Sequence, residues 1–288
     1  MAKPFEDTAL YESWRDAKLS NFSTRLDNYL VEIKDPLKLS STEFERIRKT
    51  CSESSFCLIK TKEQSDYASV INKINSQLGL IDYDKHLYVK TNGLASITVS
   101  KRTDQSEFIP YTDRELGWHT DGYYNEEENR VRSFTLFCVN PSLSGGETSW
   151  VDHELIYIKL YEESRDIIEA LCHPKAMTIP ANIVNDKTLR PESTGPIFFH
   201  DHSSNTLYMR YTQRKKNIQF HDSLEVSQAV EALDKLLEDM DDIKFSHRFN
   251  RNEGLLTNNV LHKRTSFIDN PDQPRLLLRG RYFNRINR

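Results

Sequence analysis

The segment Gly117-Trp118-His119-Thr120-Asp121-Gly122 sets an imidazole and a carboxylate two residues apart. On an extended strand, side chains at i and i+2 point to the same face, so His119 and Asp121 can reach one ion from one side. A nitrogen donor and an oxygen donor suit a borderline divalent metal. The triplet alone is a weak signal. With 9 His and 43 acidic residues in 288, roughly one such triplet arises by chance. A further donor, His262, closes the apolar run Leu255-Leu256-Thr257-Asn258-Asn259-Val260-Leu261. A single His at a strand end is more often a hydrogen-bonded structural residue than a ligand, so its surroundings matter. Downstream lies Arg275-Leu276-Leu277-Leu278-Arg279-Gly280-Arg281, whose alternation puts Arg275, Leu277, Arg279 and Arg281 on one face. A guanidinium pointing inward from a mainly apolar strand is costly unless an anion meets it. That anion is either a ligand or a carboxylate of the protein itself. Finally, Gly145-Gly146-Glu147-Thr148 places paired glycines, which tolerate positive φ, in a tight turn before a strand that starts at Thr148.

The elements that must carry these residues are mostly strands. Residues 10–30 space Leu10, Trp14, Leu19, Phe22, Leu26 and Leu30 as an amphipathic helical region with a break near Ser20-Asn21. Ser40 followed by Glu43 predicts a capping box opening a helix to about Cys51. Phe56–Ile59 predicts a buried strand, and 64–78 a helix with Tyr67, Val70, Ile71, Ile74 and Leu78 on one face. Beyond residue 80 the pattern turns β, with runs at 86–91, 95–101, 116–121, 132–139, 147–151, 176–180, 196–200, 206–211, 255–262 and 275–283. Two helical insertions, about 153–172 and 223–240, interrupt it. The expectation is one domain over 1–288. Helical and mixed elements occupy 1–80, and a jelly-roll core with helical insertions occupies 81–288.

Taken in order, H-x-D, then G-G-E-T, then a distal His followed by Arg, the chain resembles the taurine dioxygenase and clavaminate synthase-like group of 2-oxoglutarate oxygenases. The resemblance covers roughly 116–160 and 255–283 at motif level. It implies a double-stranded β-helix (jelly roll, cupin-like), and Fe(II) held by His119, Asp121 and His262. It also implies 2-oxoglutarate as co-substrate, bound through Thr148 and Arg275, and O₂ as oxidant. Arg279 matches a second family arginine that lies near substrate. The interval from His262 departs slightly from that of the taurine enzymes, so Arg275 and Arg279 remain alternatives for the co-substrate carboxylate. A narrower resemblance joins G-W-H-T-D-G-Y-Y, D-H-E-L-I-Y-I, A-M-T-I-P-A-N, M-R-Y-T and N-N-V-L-H-K-R-T. These segments are similar to the 3-hydroxylases of 3-deoxy-manno-octulosonic acid, the acidic sugar of the lipopolysaccharide inner core.

Composition narrows the partners. A net charge of −4 gives no whole-molecule attraction to nucleic acid. No apolar run approaches the roughly 18 residues of a membrane span, and the N-terminus lacks the apolar core of a signal peptide, so a cytoplasmic protein is expected. Cys51, Cys57, Cys138 and Cys172 form no C-x-x-C pair and read as small buried hydrophobes. The expected substrate is an anionic small molecule or glycolipid, with Arg279, Arg281, Arg210, Tyr123 and Tyr124 as the residues to meet it. A glycolipid would bring the chain to the inner membrane surface through the 10–30 region. An amino acid or sulfonate is the alternative substrate. Two other classes remain open: a zinc hydrolase, for which no H-E-x-x-H helix is present, and a non-catalytic ligand-binding jelly roll. His200 and His202 form an H-x-H pair, but the following Ser203-Ser204-Asn205 favours a solvated hairpin.

Overall fold

The computed structural model describes residues 7–86, 88–100, 102, 105, 108–184, 186–201, 206–214 and 216–287. Its helices are α1 (Thr8–Asn21), α2 (Ser41–Ser54), α3 (Tyr67–Gln77), α4 (His153–Glu163), α5 (Arg165–Leu171) and α6 (Leu224–Glu238). The chain divides into two compact, discontinuous units.

The β-rich unit comprises Ser23–Leu116, Val131–Trp150 and Phe245–Arg288. Its main sheet runs in the order β1 (Leu30–Glu32), β2 (Phe56–Lys60), β16 (Glu253–Thr257), β5 (Ser133–Asn140), β19 (Leu276–Tyr282) and β3 (Leu94–Ile97). Only the β1–β2 pairing is parallel; the others are antiparallel. Strands from both ends of the sequence thus share one sheet, and β1 and β2 belong to it even though they precede residue 80. Helices α2 and α3 are amphipathic, and their apolar faces join this sheet. Ile47, Cys51, Ile59, Ile71, Ile74, Phe137 and Leu256 are all fully buried in that core. Burying each large side chain is worth about 1.5–3 kcal/mol. Polar links fix the packing: Thr135 Oγ1 donates to Asn75 Oδ1 at 2.8 Å, and Asn75 Nδ2 donates to the Tyr282 hydroxyl at 2.7 Å. A second sheet has the order β15 (Phe245–His247), β7 (Thr148–Val151), β17 (Leu261–Arg264) and β4 (Leu116–His119).

The mixed unit comprises Met1–Phe22, Gly117–Arg130 and Val151–Lys244. Here α1 docks on α4. Tyr11 stacks on Tyr161 at 3.9 Å and donates to Glu162 at 2.7 Å, and Trp14 meets the edge of Tyr157 at 6.0 Å. Lys18, buried, bridges Asp152 and Glu154 at 2.5 Å each. Short strands β8 (Met177–Ile179) and β11 (Ser193–Gly195) pair antiparallel, as do β12 (Phe198–Asp201) and β13 (Thr206–Met209). Among the described residues no helix is long and apolar enough to cross a membrane.

Several expected elements change. The 255–262 run is two strands in different sheets, not one, because Asn259 adopts φ 58° between them. Asn258 and Asn259 hold the turn through side-chain bonds to the carbonyls of Cys51, Ile286 and Val131. The 86–91 run forms no strand in its described residues, and a turn closed by the Gly93 amide on the Lys90 carbonyl at 2.9 Å leads into β3. The 153–172 insertion is two helices, since Ser164 ends α4 and caps α5. His200 lies on β12, and His202 lies outside the described residues.

Candidate functional site

His119 is the last residue of β4, and its backbone bridges to Thr212. Asp121 follows immediately beyond the strand. Gly122 comes next with φ 67°, a left-handed conformation that a side chain disfavours, so the chain turns away directly after the carboxylate. His262 sits on β17 with its ring against Phe134 at 4.6 Å. All three side chains are buried, and their potential ligand atoms lie within 4.8 Å of one another.

Backbone carbonyls hold both imidazoles. His119 Nδ1 lies 2.9 Å from the Gly117 carbonyl, and His262 Nδ1 lies 3.1 Å from the Val260 carbonyl. A carbonyl only accepts, so each Nδ1 carries the proton and the lone pair is left on Nε2. This is the backbone support that orients metal-binding histidines. Two imidazole nitrogens and one carboxylate fit Fe(II) and leave positions for other ligands.

Arg275, just before β19, is 4% exposed. Among the described residues its buried Nη1 has no hydrogen-bond partner, and its guanidinium lies over the Phe267 ring at 4.9 Å. Burial lowers its pKa to about 10. Arg264, which sequence reasoning passed over, lies over the same ring at 5.0 Å. It donates to the carbonyls of Pro110, Thr112 and Arg114. Burial and the neighbouring Arg275 lower its pKa to about 10 as well. Its only sequence signal was its place two residues beyond His262 on the same strand. The Gly145-Gly146 turn approaches Arg275 closely: a Cβ on Gly146 would stand 3.4 Å from Arg275 Nε. Thr148 is buried at the start of β7, directly after that turn.

The remaining expected residues divide. Arg281 pairs with Asp84 inside the β-rich unit, so its charge is met by the protein itself rather than by a substrate. Arg279 is half-buried on β19. Arg210 is 6% exposed and donates to the carbonyls of Met177 and Ser193 at 2.9 and 2.8 Å. Those bonds tie β8 to β11 and the side chain is withdrawn from solvent, so Arg210 supports the framework. Burial, with Arg130 and Arg190 nearby, lowers its pKa to about 10. Tyr123 is buried, accepts from Arg214 at 2.9 Å, and meets the edge of Tyr124 at 5.1 Å. Burial raises its pKa.

Comparison with known proteins identifies the family and the fold. The model of the family described as taurine catabolism dioxygenase TauD, TfdA family, matches residues 15–281. Uridine-5'-phosphate dioxygenase of Streptomyces sp is 25% identical over 200 residues, covering 65% of this chain and 68% of the relative. The structure of the non-heme iron oxygenase OrfP in complex with Fe and alpha-ketoglutaric acid superposes with a TM-score of 0.62 at 15% identity, over 96% of this chain and 92% of that one. Asparagine oxygenase, in complex with Fe(II), 2S,3S-3-hydroxyasparagine and succinate, gives 0.60 at 15% identity, over 98% of this chain and 86% of that one. The architecture is therefore the jelly roll of these oxygenases, mainly β with flanking helices. Neither the zinc hydrolase nor the non-catalytic alternative stands against a family match of this length. The chain belongs to the TauD/TfdA family and is an oxygenase dependent on Fe(II), 2-oxoglutarate and O₂.

Proposed function

We propose that His119, Asp121 and His262 hold the iron, that Arg275 with Thr148 holds the distal carboxylate of 2-oxoglutarate, and that the substrate is anionic. One observation carries the site assignment: two buried histidines, each with Nδ1 on a backbone carbonyl, converge with Asp121 within 4.8 Å. Bound iron would supply oxidative hydroxylation of a C–H bond by O₂, one oxygen atom entering the substrate and the other the succinate formed as 2-oxoglutarate loses CO₂. The chain does the rest. The Gly117 and Val260 carbonyls fix the tautomers. Arg275 offers a buried cation whose Nη1 has no hydrogen-bond partner within the described protein, and the Phe267 ring holds it in place. An incoming carboxylate would restore what burial costs that cation.

The leading substrate is 3-deoxy-manno-octulosonic acid in a lipopolysaccharide precursor, hydroxylated at C3. The segments around His119, Ala176, Met209 and His262 support this reading. A phosphorylated nucleoside is the second reading, favoured by the likeness to uridine-5'-phosphate dioxygenase. An amino acid or sulfonate remains the reading that the family name itself suggests. A lipid-linked substrate would require peripheral membrane contact. The aromatic side of α1 packs on α4, so that contact would rest on Leu10 and Leu19, which are exposed.

Anaerobic titration with Fe(II) and 2-oxoglutarate should raise a weak visible charge-transfer band in the wild type, and no such band in His119→Ala or His262→Ala. Incubation with each substrate class, followed by mass spectrometry for one added oxygen, then separates the readings. Oxygen added to a sulfonate or amino acid, with none on the acidic sugar, would remove the lipopolysaccharide assignment.

A further inference from the structure

Two arginines that no motif singled out flank the residues just after Asp121. Arg214 follows Gln213, whose amide donates to the Trp118 carbonyl at 2.8 Å, so it emerges beside the strand bearing His119. Its guanidinium reaches the Tyr123 hydroxyl at 2.9 Å. Arg190, at the end of β10 (Lys187–Arg190), approaches from another element. It lies 5.6 Å from the Tyr124 ring and donates to the carbonyls of Tyr124, Pro180 and Pro191. Behind them, Ser193 donates to the Asn125 carbonyl at 3.0 Å and is held by Arg210.

The charge balance is unusual for a chain with more acids than bases. Among the described residues no carboxylate pairs with Arg190, Arg210 or Arg214; their recorded partners are backbone carbonyls and hydroxyls. Arg190 is half-buried, and desolvation together with Arg214 lowers its pKa. Guanidinium groups set against adjacent tyrosines, Arg214 on Tyr123 and Arg190 on Tyr124, favour an oxyanion, which they can meet through charge-assisted, forked bonds.

We propose that Arg190 and Arg214, set against Tyr123 and Tyr124, form an oxyanion-binding wall that receives the acidic group of the substrate, either a phosphate or a carboxylate. This rests on the reading of Asp121 as an iron ligand, since that is what puts the wall beside the reacting centre. Arg210 stays behind the wall, positioning Ser193 and adding to the positive field. Tyr123, buried and bonded to Arg214, holds that arginine in place, and the half-buried Tyr124 is the ring left to meet the body of the ligand.

The test is anaerobic calorimetric titration of the Fe(II)–2-oxoglutarate enzyme with glucose 6-phosphate, gluconate and glucose. These probes share a sugar body and differ in the acid. At least one anion should bind and glucose should not, and the anion that binds identifies the acidic group. Arg190→Gln and the exposed Arg214→Gln should each weaken that binding about 10-fold or more, while the visible 2-oxoglutarate band persists. The wall is refuted if neither anion binds, or if both variants bind like the wild type. It is equally refuted if only Arg275→Gln abolishes binding, for then the anion occupies the co-substrate pocket. Repeating the titration on metal-free protein separates the two claims: anion binding that depends on Arg190 and Arg214, without a visible band in the holoenzyme, overturns the iron assignment and not the wall.

Discussion

Arg275 and Arg214 are both proposed to meet anions, yet their surroundings give them different chemistry. Arg275 is buried with a nitrogen unmet, so removing it should be felt by the co-substrate. A hydrogen bond to a charged group is worth about 1.5–3 kcal/mol, or roughly 10- to 150-fold in affinity. Arg275→Ala is therefore expected to raise the 2-oxoglutarate concentration needed for half-saturation by that factor, followed through the visible band. Thr148→Val should cost less, its hydroxyl being neutral. A large loss in Arg279→Ala with none in Arg275→Ala would reverse the assignment. The pH dependence has a definite sign. Burial lowers the Arg275 pKa to about 10, so in the free enzyme the cation is lost as pH rises through 10, well below the 12.5 of an ordinary arginine. Apparent 2-oxoglutarate affinity should fall across that range, and bound co-substrate should shift the fall upward. An affinity flat to pH 11 would contradict it.

Elements explain why parts of the molecule were readable in advance and others were not. The α2 capping box was legible because it is local: Ser40 and Glu43 need only each other. Burial alone would raise the Glu43 pKa, but the Ser40 hydroxyl and the Lys34 and Ser40 amides outweigh it and hold it below the ordinary carboxylate range. A depressed acid contributes stability above its unfolded value, near 4.5, and loses it as pH falls through the folded one. Glu43→Gln should therefore unfold more easily at pH 7 and show a flatter decline between pH 5 and 3, measured by chemical denaturation. The H-x-D pair is local too, but β4 ends at His119 and Asp121 lies beyond it, so the shared strand face expected from the spacing holds only for the first of the two. The 255–262 run was not legible, because what divides it is remote: Asn258 bonds to Cys51 and Ile286, which no window of sequence brings near. Asn258→Ala leaves several buried groups unmet and should cost about 2–4 kcal/mol, read from the shift in denaturation midpoint. The Arg275–Arg281 alternation does not extend to Arg275, which precedes β19 and a register shift between Leu276 and Leu277, and it could not reveal that Asp84 claims Arg281. Partners supplied by other segments were the part hidden from the sequence.

At the scale of the whole molecule, chain ends and distant segments are sewn together by a few buried polar contacts. Lys18 is the clearest case. It ties α1 to Asp152 and Glu154, far along the sequence, with all three groups largely withdrawn from water. Burial would lower its pKa, yet the two carboxylates prevail and raise it. Lys18→Met would strand two acids and should destabilise by about 3–5 kcal/mol. Combining it with Asp152→Asn and Glu154→Gln should recover much of that loss. If Lys18→Met melts like the wild type, α1 is not anchored in this way.

The close approach of Gly146 to Arg275 has a bearing on selectivity. The cation that would meet the far end of the co-substrate is backed by a turn with no side chain, and a Cβ there would meet Arg275 Nε at 3.4 Å and Ser142 Oγ at 2.9 Å. If Arg275 meets the co-substrate carboxylate as proposed, the turn would set how far the cation stands from the iron, and so which length of dicarboxylate spans the gap. It works as a gauge. Gly146→Ala should thus alter the preference among oxaloacetate, 2-oxoglutarate and 2-oxoadipate, three acids that differ only by single methylenes, while leaving the iron ligands where they are.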